Sequence, residues 1–177
     1  MRNIILLALC FTVAIQSGCA FKDIDKRIFV IAIGVDQSDD VKNPYRVTLK
    51  LALPAQKFDP SVNNIQIISE NSETISGAIG RIRAKSSKDL NFGLLEICIL
   101  GESLAHESIN EPLNWLSRRF DIPMEGMVAL GKPNAETVLK MKPKSENFSG
   151  NALLLSLSET GSISSFTVPE HLYDFYR

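Results

Sequence analysis

The sequence predicts a mixed α/β (α+β) domain in which helices pack on a layered sheet. Residues 28–36 are β-branched and continuously apolar, which is typical of a central strand buried on both faces. Residues 45–53 alternate between apolar and polar side chains, as a strand with one buried face does. Strand and helix patterns then alternate over residues 65–140, and that order is typical of a layered α/β domain.

The first two strands are expected to form a hairpin. Residues 39–44 have the composition of a turn, so the two apolar runs lie close together in the chain. In the second run, one face carries Tyr45, Val47, Leu49, Leu51 and Leu53, and the other carries Arg46, Thr48 and Lys50. This alternation predicts a half-buried strand. Two prolines indicate a loop over residues 54–63, and a third short strand is predicted over residues 65–69.

A helix is predicted next, capped by Asn71 or Ser72 and running to about Lys85. Its apolar residues recur at helical spacing and predict one buried face: Ile75, Ala78, Ile79 and Ile82. Cations crowd its last turns, namely Arg81, Arg83 and Lys85. Cations suit the negative end of the helix dipole, so a solvated helix end explains them better than a phosphate site does.

The rest of the chain continues the alternation. A strand is predicted over Leu90–Leu100, ending at Gly101. A helix over Ile109–Arg119 follows, capped by Asn110. In this helix Leu113 and either Leu116 or Trp115 are expected to face inward. The elements predicted after it are a strand over Gly126–Gly131, a short helix over Asn134–Leu139, and helical segments over Ala152–Ser158 and Val168–Arg177. In the last segment Leu172, Phe175 and Tyr176 form the inward face of a helix that is expected to continue.

The amino terminus has the pattern of a bacterial lipoprotein signal. Arg2 gives a positive start, Ile4–Ile15 is an uncharged apolar run, and two small residues, Ser17 and Gly18, precede Cys19. We predict cleavage between Gly18 and Cys19, with diacylglycerol on the Cys19 sulfur and an acyl group (N-palmitoyl) on its new amino group. The alternatives are an ordinary signal peptide or a short transmembrane anchor, although the run is shorter than the ~20 residues of a spanning helix.

These patterns divide the chain into four parts. We expect a signal peptide over residues 1–18, a lipidated tether over 19–27, one mixed α/β domain over 28–160, and the start of a truncated following segment over 161–177.

Composition excludes several classes of function. The formal net charge of −1 gives no support for nucleic-acid binding, which usually needs a clustered basic face. Cys98 lies in an apolar run and is expected to be a buried, unreactive thiol. No sequence motif of a hydrolase elbow, a zinc protease, a redox dithiol or a phosphate loop is found. We therefore expect no cofactor and no enzyme activity.

Two groups of residues are candidates for a functional site. The acids Asp36, Asp39 and Asp40 lack the glycine and glutamate of a calcium loop, so a turn after a strand explains them better than a metal site. A catalytic triad could be formed by Ser103, His106 and Glu102, but nothing in the sequence positions the three side chains together. We expect no metal site and no catalytic residues.

Four segments together resemble a known family. They are Cys19-Ala-Phe-Lys-Asp-Ile-Asp-Lys-Arg-Ile-Phe-Val-Ile-Ala-Ile-Gly-Val-Asp36, Tyr45-Arg-Val-Thr-Leu49, Ser72-Glu-Thr-Ile-Ser-Gly-Ala-Ile79 and Leu90-Asn-Phe-Gly-Leu-Leu-Glu-Ile-Cys-Ile-Leu-Gly-Glu-Ser-Leu-Ala105. Their order and spacing are similar to those of the Ger(x)C (GerAC-type) spore germination lipoproteins, the C subunits of spore germinant receptors.

This resemblance implies a non-catalytic lipoprotein on the outer face of the spore inner membrane. It also implies assembly with polytopic membrane subunits of the A type and the B type, and a fold matching the first domain of a multi-domain family. The competing hypothesis is a generic bacterial surface lipoprotein, with a solute-binding or envelope-assembly domain.

Overall fold

The computed structural model describes residue 3 and residues 26–53, 64–141 and 170–176. In these residues, helices pack on one mixed sheet, as the sequence predicts. The strands are β1 (Arg27–Gln37), β2 (Tyr45–Ala52), β3 (Ile65–Ser72), β4 (Asp89–Asn91), β5 (Ile97–Gly101), β6 (Met127–Gly131) and β7 (Glu170–His171). The helices are α1 (Ile75–Ala84), α2 (Glu102–Glu107), α3 (Asn110–Ser117) and α4 (Ala135–Lys140), and a 3₁₀ turn spans Leu172–Tyr176.

The sheet is built around β1. Its strand order is β3-β2-β1-β5-β6-β7, and β4 pairs with the first residues of β1. β1 is antiparallel to β2 and parallel to β4 and β5. The predicted hairpin is confirmed, and its turn is closed by a hydrogen bond from Ser38 N to Pro44 O of 2.7 Å. The β-branched apolar run is therefore strand β1, which has neighbouring strands on both sides.

Strand β2 is more deeply buried than its alternating pattern suggests. Its inward residues Val47, Leu49 and Leu51 are fully buried against the main core, as predicted. However, Thr48 and Lys50 on the other face are also 0% exposed, so the prediction of a half-buried strand is wrong. The second face is covered as well, and there Thr48 Oγ1 lies 3.0 Å from Ser69 Oγ.

The turn from β3 to α1 also differs from the prediction. Pairing with β2 carries β3 as far as Ser72, which lies opposite Tyr45. Ser72 is therefore a strand residue, and Thr74 caps the helix, since its side chain accepts a hydrogen bond of 3.0 Å from Gly77 N. The predicted caps Asn71 and Ser72 are wrong. The predicted buried face of α1 is confirmed: Ile75, Ala78, Ile79 and Ile82.

The strand predicted over Leu90–Leu100 is two strands, both parallel to β1. A turn separates β4 from β5, with Leu95 N donating to Phe92 O at 2.9 Å. The Asn91 side chain accepts a hydrogen bond of 3.0 Å from Gly93 N. Phe92 is fully buried under the helices, so the interruption places an aromatic ring in the core.

Helix α3 begins at Asn110, which is its first residue and not its cap. Ser108 precedes it and accepts a hydrogen bond from Asn110 N at 3.2 Å. Leu113 and Leu116 are buried, and Trp115 is partly buried at the edge of the core. Of the two residues between which the sequence does not decide, Leu116 is therefore the one that faces inward, and Trp115 lies at the edge of the core.

The strand and helix predicted near residues 126–139 are confirmed as β6 and α4. Asn134 caps α4, since its side chain accepts a hydrogen bond of 2.8 Å from Thr137 N.

At the carboxyl end the predicted helix over 168–177 is not found in the described residues 170–176. They form β7, antiparallel to β6, and the 3₁₀ turn, whose Leu172 is buried in the main core. The loop at 54–63 and the helix at 152–158 lie outside the described residues.

Candidate functional site

The carboxyl ends of the parallel strands β1, β5 and β6 meet at one edge of the sheet, where ligands often bind in α/β folds. A polar cavity of about 590 Å³ opens there. Its lining includes Asp36, Arg46, Asn71, Ser103 and Glu136. We refer to Asp36, Arg46, Ser69, Glu136 and Lys140 as the carboxyl-edge cluster, since these side chains carry the charge and the hydrogen bonds of this edge.

Asp36 is the buried acid of the cluster. It ends the apolar run of β1, and its carboxylate accepts hydrogen bonds from Ala135 N at 2.6 Å and Glu136 N at 2.9 Å. These are the first backbone N–H groups of α4, which have no partner within the helix. Burial raises the pKa of Asp36, although the two backbone N–H groups oppose that shift. Both oxygens are committed to holding α4 on the sheet.

Two glycines allow this close approach. A Cβ atom on Gly101 would overlap Asp36 Oδ1, and one on Gly34 would lie 2.8 Å from Leu139 Cδ1. Helix α4 and the Asp36 side chain therefore occupy the space that larger residues would fill. The Gly-Val-Asp end of β1 is explained by packing.

Glu136 connects the charges of the cluster. Its carboxylate lies 2.8 Å from Arg46 Nε and 2.6 Å from Lys140 Nζ, and it accepts a hydrogen bond of 3.0 Å from Ser69 Oγ. Burial alone would raise the pKa of Glu136, but the bonds from Lys140 and Ser69 and the charge of Arg46 outweigh it and lower the pKa. The carboxylate therefore stays ionised and bound to its partners.

Asp39 and Asp40, the other two acids that follow the apolar run of β1, lie in the β1–β2 turn. Asp39 is exposed, and Asp40 accepts hydrogen bonds from Lys42 N at 2.9 Å and Asn43 Nδ2 at 2.7 Å, which lower its pKa. Within residues 26–53, 64–141 and 170–176, no three His, Cys, Asp or Glu side chains group in a way that could hold a metal ion. In the described chain these acids form a turn.

The residues drawn as a triad are not arranged as one. Glu102 pairs with Lys132 at 2.9 Å, and this contact lowers the pKa of Glu102. Ser103 and His106 are exposed on the short helix α2.

Two of the three cations at the end of α1, Arg81 and Lys85, have partners within the domain, and Arg83 is exposed. Arg81 donates to Asn71 O at 2.5 Å, and Lys85 pairs with Glu70. These contacts tie the end of the helix to β3, in agreement with the interpretation as a helix end.

Cys98 lies on β5 and is buried, as predicted. Burial raises the pKa of its thiol to about 12. Little thiolate forms near neutral pH in such surroundings, so this side chain is not placed to act as a nucleophile.

A groove between α1 and α3 is not predicted by any pattern in the sequence. It has a volume of about 630 Å³ and is lined by Ser76, Asn110, Glu111, Asn114, Trp115, Arg118 and Arg119. Trp115 Nε1 donates to Ser76 Oγ at 2.9 Å, and the Arg119 guanidinium lies 4.5 Å from the centre of the Phe92 ring. The groove depends on how two helices pack, which no local pattern in the sequence describes. The one local sign of it is that either Leu116 or Trp115 could face inward.

At the carboxyl-edge cluster the ionised groups are thus held by contacts within the domain. No helix among the described residues is both long and apolar enough to cross a membrane. Gly18 and Cys19, the predicted cleavage and lipidation residues, lie outside the described part of the chain.

Comparison with known proteins adds one result. Residues 21–177 match the family described as the spore germination protein N-terminal domain. No curated protein and no solved structure matches the chain.

Proposed function

Because the chain belongs to the family of spore germination protein N-terminal domains, we propose that it is the lipoprotein C subunit of a nutrient germinant receptor. In this role it is non-catalytic and is required for nutrient-triggered germination. The family match over residues 21–177 is the observation that carries the proposal. The fold agrees with it, since helices pack on a mixed sheet as the resemblance implies.

The chemistry of the carboxyl-edge cluster favours a non-catalytic role. A general acid or base needs a carboxyl group that is free to exchange a proton with a substrate. Asp36 instead accepts two backbone N–H groups, and Glu136 holds Arg46, Lys140 and Ser69. Such contacts hold α4 on the sheet, so these carboxylates have a structural role.

Attachment to the membrane is assigned to Cys19. The apolar run, the small residues before it and the cysteine itself support cleavage after Gly18 and lipidation of Cys19. More than one acyl chain is needed for durable anchoring, and the proposed diacylglycerol and N-acyl groups supply three. The lipid would hold the domain on the outer face of the spore inner membrane.

A direct test of the anchor is mass spectrometry of the amino-terminal peptide from spore membranes. We expect a peptide that starts at Cys19 and carries the lipid mass, and we expect Cys19→Ala to remain unprocessed or to leave the membrane. If Cys19→Ala fractionates and migrates like the unchanged chain, the anchor is wrong. Cys10→Ala is the matched control, because it changes a cysteine of the proposed signal peptide.

The partners of the proposed receptor are the polytopic A-type and B-type subunits. The family is part of the germination receptor machinery, which implies membrane-associated partners. Purification of the tagged chain from detergent-solubilised spore membranes tests this assignment. We expect multi-span membrane proteins to copurify in constant ratio. Recovery of the chain without them would favour a generic surface lipoprotein.

A further inference from the structure

Strand β3 forms one edge of the sheet. It stands at the end of the strand order, and it pairs with β2 along its whole length, from Ile65 opposite Ala52 to Ser72 opposite Tyr45. In the part of the chain that the structure describes, no strand lies on the outer side of β3. An edge strand presents backbone N–H and C=O groups that can pair with another chain.

The hydrogen bond from Leu53 N to Asn64 O shows which groups of β3 point outward. These two residues continue the register of β2 and β3, so they are a hydrogen-bonded pair. Because such pairs alternate along an antiparallel ladder, even-numbered residues of β3 bind β2, and odd-numbered residues point their N–H and C=O groups outward. Arg81 Nη1 agrees with this alternation, since it donates to the outward Asn71 O at 2.5 Å.

Two residues of this edge have both backbone groups available for pairing. Within the described residues, no hydrogen bond reaches the outward N–H and C=O groups of Ile67 and Ser69. The strand also lacks the features that usually protect an edge, because it contains no proline and no lysine and its register with β2 is not interrupted by a bulge. The edge is therefore suited to pairing with a strand of another chain.

The backbone of β3 is complementary to that of a second copy. In an antiparallel arrangement with a two-fold axis at Ile68, Ile67 of each copy lies opposite Ser69 of the other. Both residues point their N–H and C=O groups outward, so each pair exchanges two N–H···O bonds and the contact forms about four. Both copies use the same surface, as the two-fold symmetry of a closed dimer requires.

The side chains of β3 are complementary in the same arrangement. Ile68 lies opposite Ile68 of the second copy, and Gln66 lies opposite Glu70. Glu70 is the only charged residue of β3, and its carboxylate pairs with Lys85 of α1. Like charges directly opposite each other would destabilise the pairing, and this register places none of the β3 side chains in that position.

We infer that β3 pairs antiparallel with β3 of a second copy of this chain, with Ile68 at the two-fold axis, so that the two sheets become continuous. This inference goes beyond the proposed function and does not depend on it.

Disulfide cross-linking tests the pairing and its register. Two full-length chains with different affinity tags, one with Gln66→Cys and the other with Glu70→Cys, are expressed together and oxidised with copper phenanthroline. The two positions form a non-hydrogen-bonded pair, whose Cα atoms lie ~4.5 Å apart, within reach of a disulfide. We expect a cross-link that joins both tags, several-fold stronger than in the matched control.

The control pairs Glu70→Cys with Val41→Cys, because Val41 is 95% exposed in the β1–β2 turn and reports random collision. Chains that carry Gln66→Cys or Glu70→Cys alone measure any cross-link through the native cysteines. A mixture that cross-links no better than these controls would overturn the inference. Cross-linking of the Gln66→Cys chain to a different protein in place of the second copy would overturn it as well.

A proline at position 67 tests the backbone contact. Ile67→Pro removes an outward N–H group and no hydrogen bond to β2, so it should reduce the cross-link several-fold. Ile67→Ala is the matched change, because it keeps the N–H group, and it should leave the cross-link unchanged. An equal cross-link in the two variants would contradict the backbone pairing. If Ile67→Pro does not fold, the cross-link of the first mixture decides the inference.

Discussion

At the residue scale, Asp36 shows how an acid can be used for structure at an edge where ligands often bind. Its carboxylate replaces the hydrogen-bond partners that α4 lacks at its first turn. Desolvation of the charge opposes this arrangement, but without the carboxylate the buried N–H of Ala135 and the partly buried N–H of Glu136 would lose their acceptors, which also costs free energy. The Gly-Val-Asp end of β1 therefore helps to fix the position of α4 on the sheet.

Removing the Asp36 carboxylate tests this role. Asp36→Ala should destabilise the domain by about 1–3 kcal/mol, because the N–H groups of Ala135 and Glu136 lose their acceptors. Asp36→Asn keeps one acceptor oxygen and should lose less. Urea unfolding measures the free energy of unfolding, and Asp39→Ala in the exposed turn is the control, expected within about 0.5 kcal/mol of the unchanged chain. A loss no larger than that of the control would contradict the capping role.

Cys98 gives a second prediction at this scale. In a Cys10→Ser, Cys19→Ser chain it is the remaining thiol, and we expect a thiol reagent to label it far more slowly in the folded protein than in urea. The physical reason is burial, which raises the thiol pKa to about 12 and blocks access. Absorbance of the released reagent gives the rate. Equal rates in the folded and unfolded chain would show that the site is open.

At the element scale, most strand and helix types were predictable while their junctions were not, and the helix predicted over residues 168–177 is an exception in type. The apolar run of β1 and the helical spacing of Ile75, Ala78, Ile79 and Ile82 identified their elements because each pattern follows from one local geometry. The cap of α1 was misassigned because β3 pairs with β2 through Ser72, which is a long-range contact. Burial of Thr48 and Lys50 was missed for a related reason, since a second layer covers their face.

The cap of α1 can be tested directly. Thr74→Ala removes the acceptor for Gly77 N and should cost about 1 kcal/mol of stability. Glu73→Ala, at the neighbouring exposed position, should change the free energy of unfolding much less. Thermal or urea unfolding of both variants makes the comparison. If the two variants unfold alike, Thr74 does not cap the helix.

At the scale of the whole molecule, the sequence predicted the fold class and the family more fully than the site. Segments from Cys19 to Ala105 carried a resemblance that the family match over residues 21–177 confirms. The groove beside Trp115 and the contacts of Glu136 were missed because they join residues distant in sequence, for which one sequence offers no local pattern. The proposed role therefore rests on the family match, and the geometry of the described residues agrees with it.

Germination of spores that lack the gene encoding this chain tests the central claim most directly. Release of dipicolinic acid after addition of single nutrients measures the response, in a strain with no second receptor for the same nutrient. The account predicts slow or absent germination with one class of nutrient, normal growth and sporulation, and normal germination with a non-nutrient trigger. Normal germination with every nutrient would contradict the account.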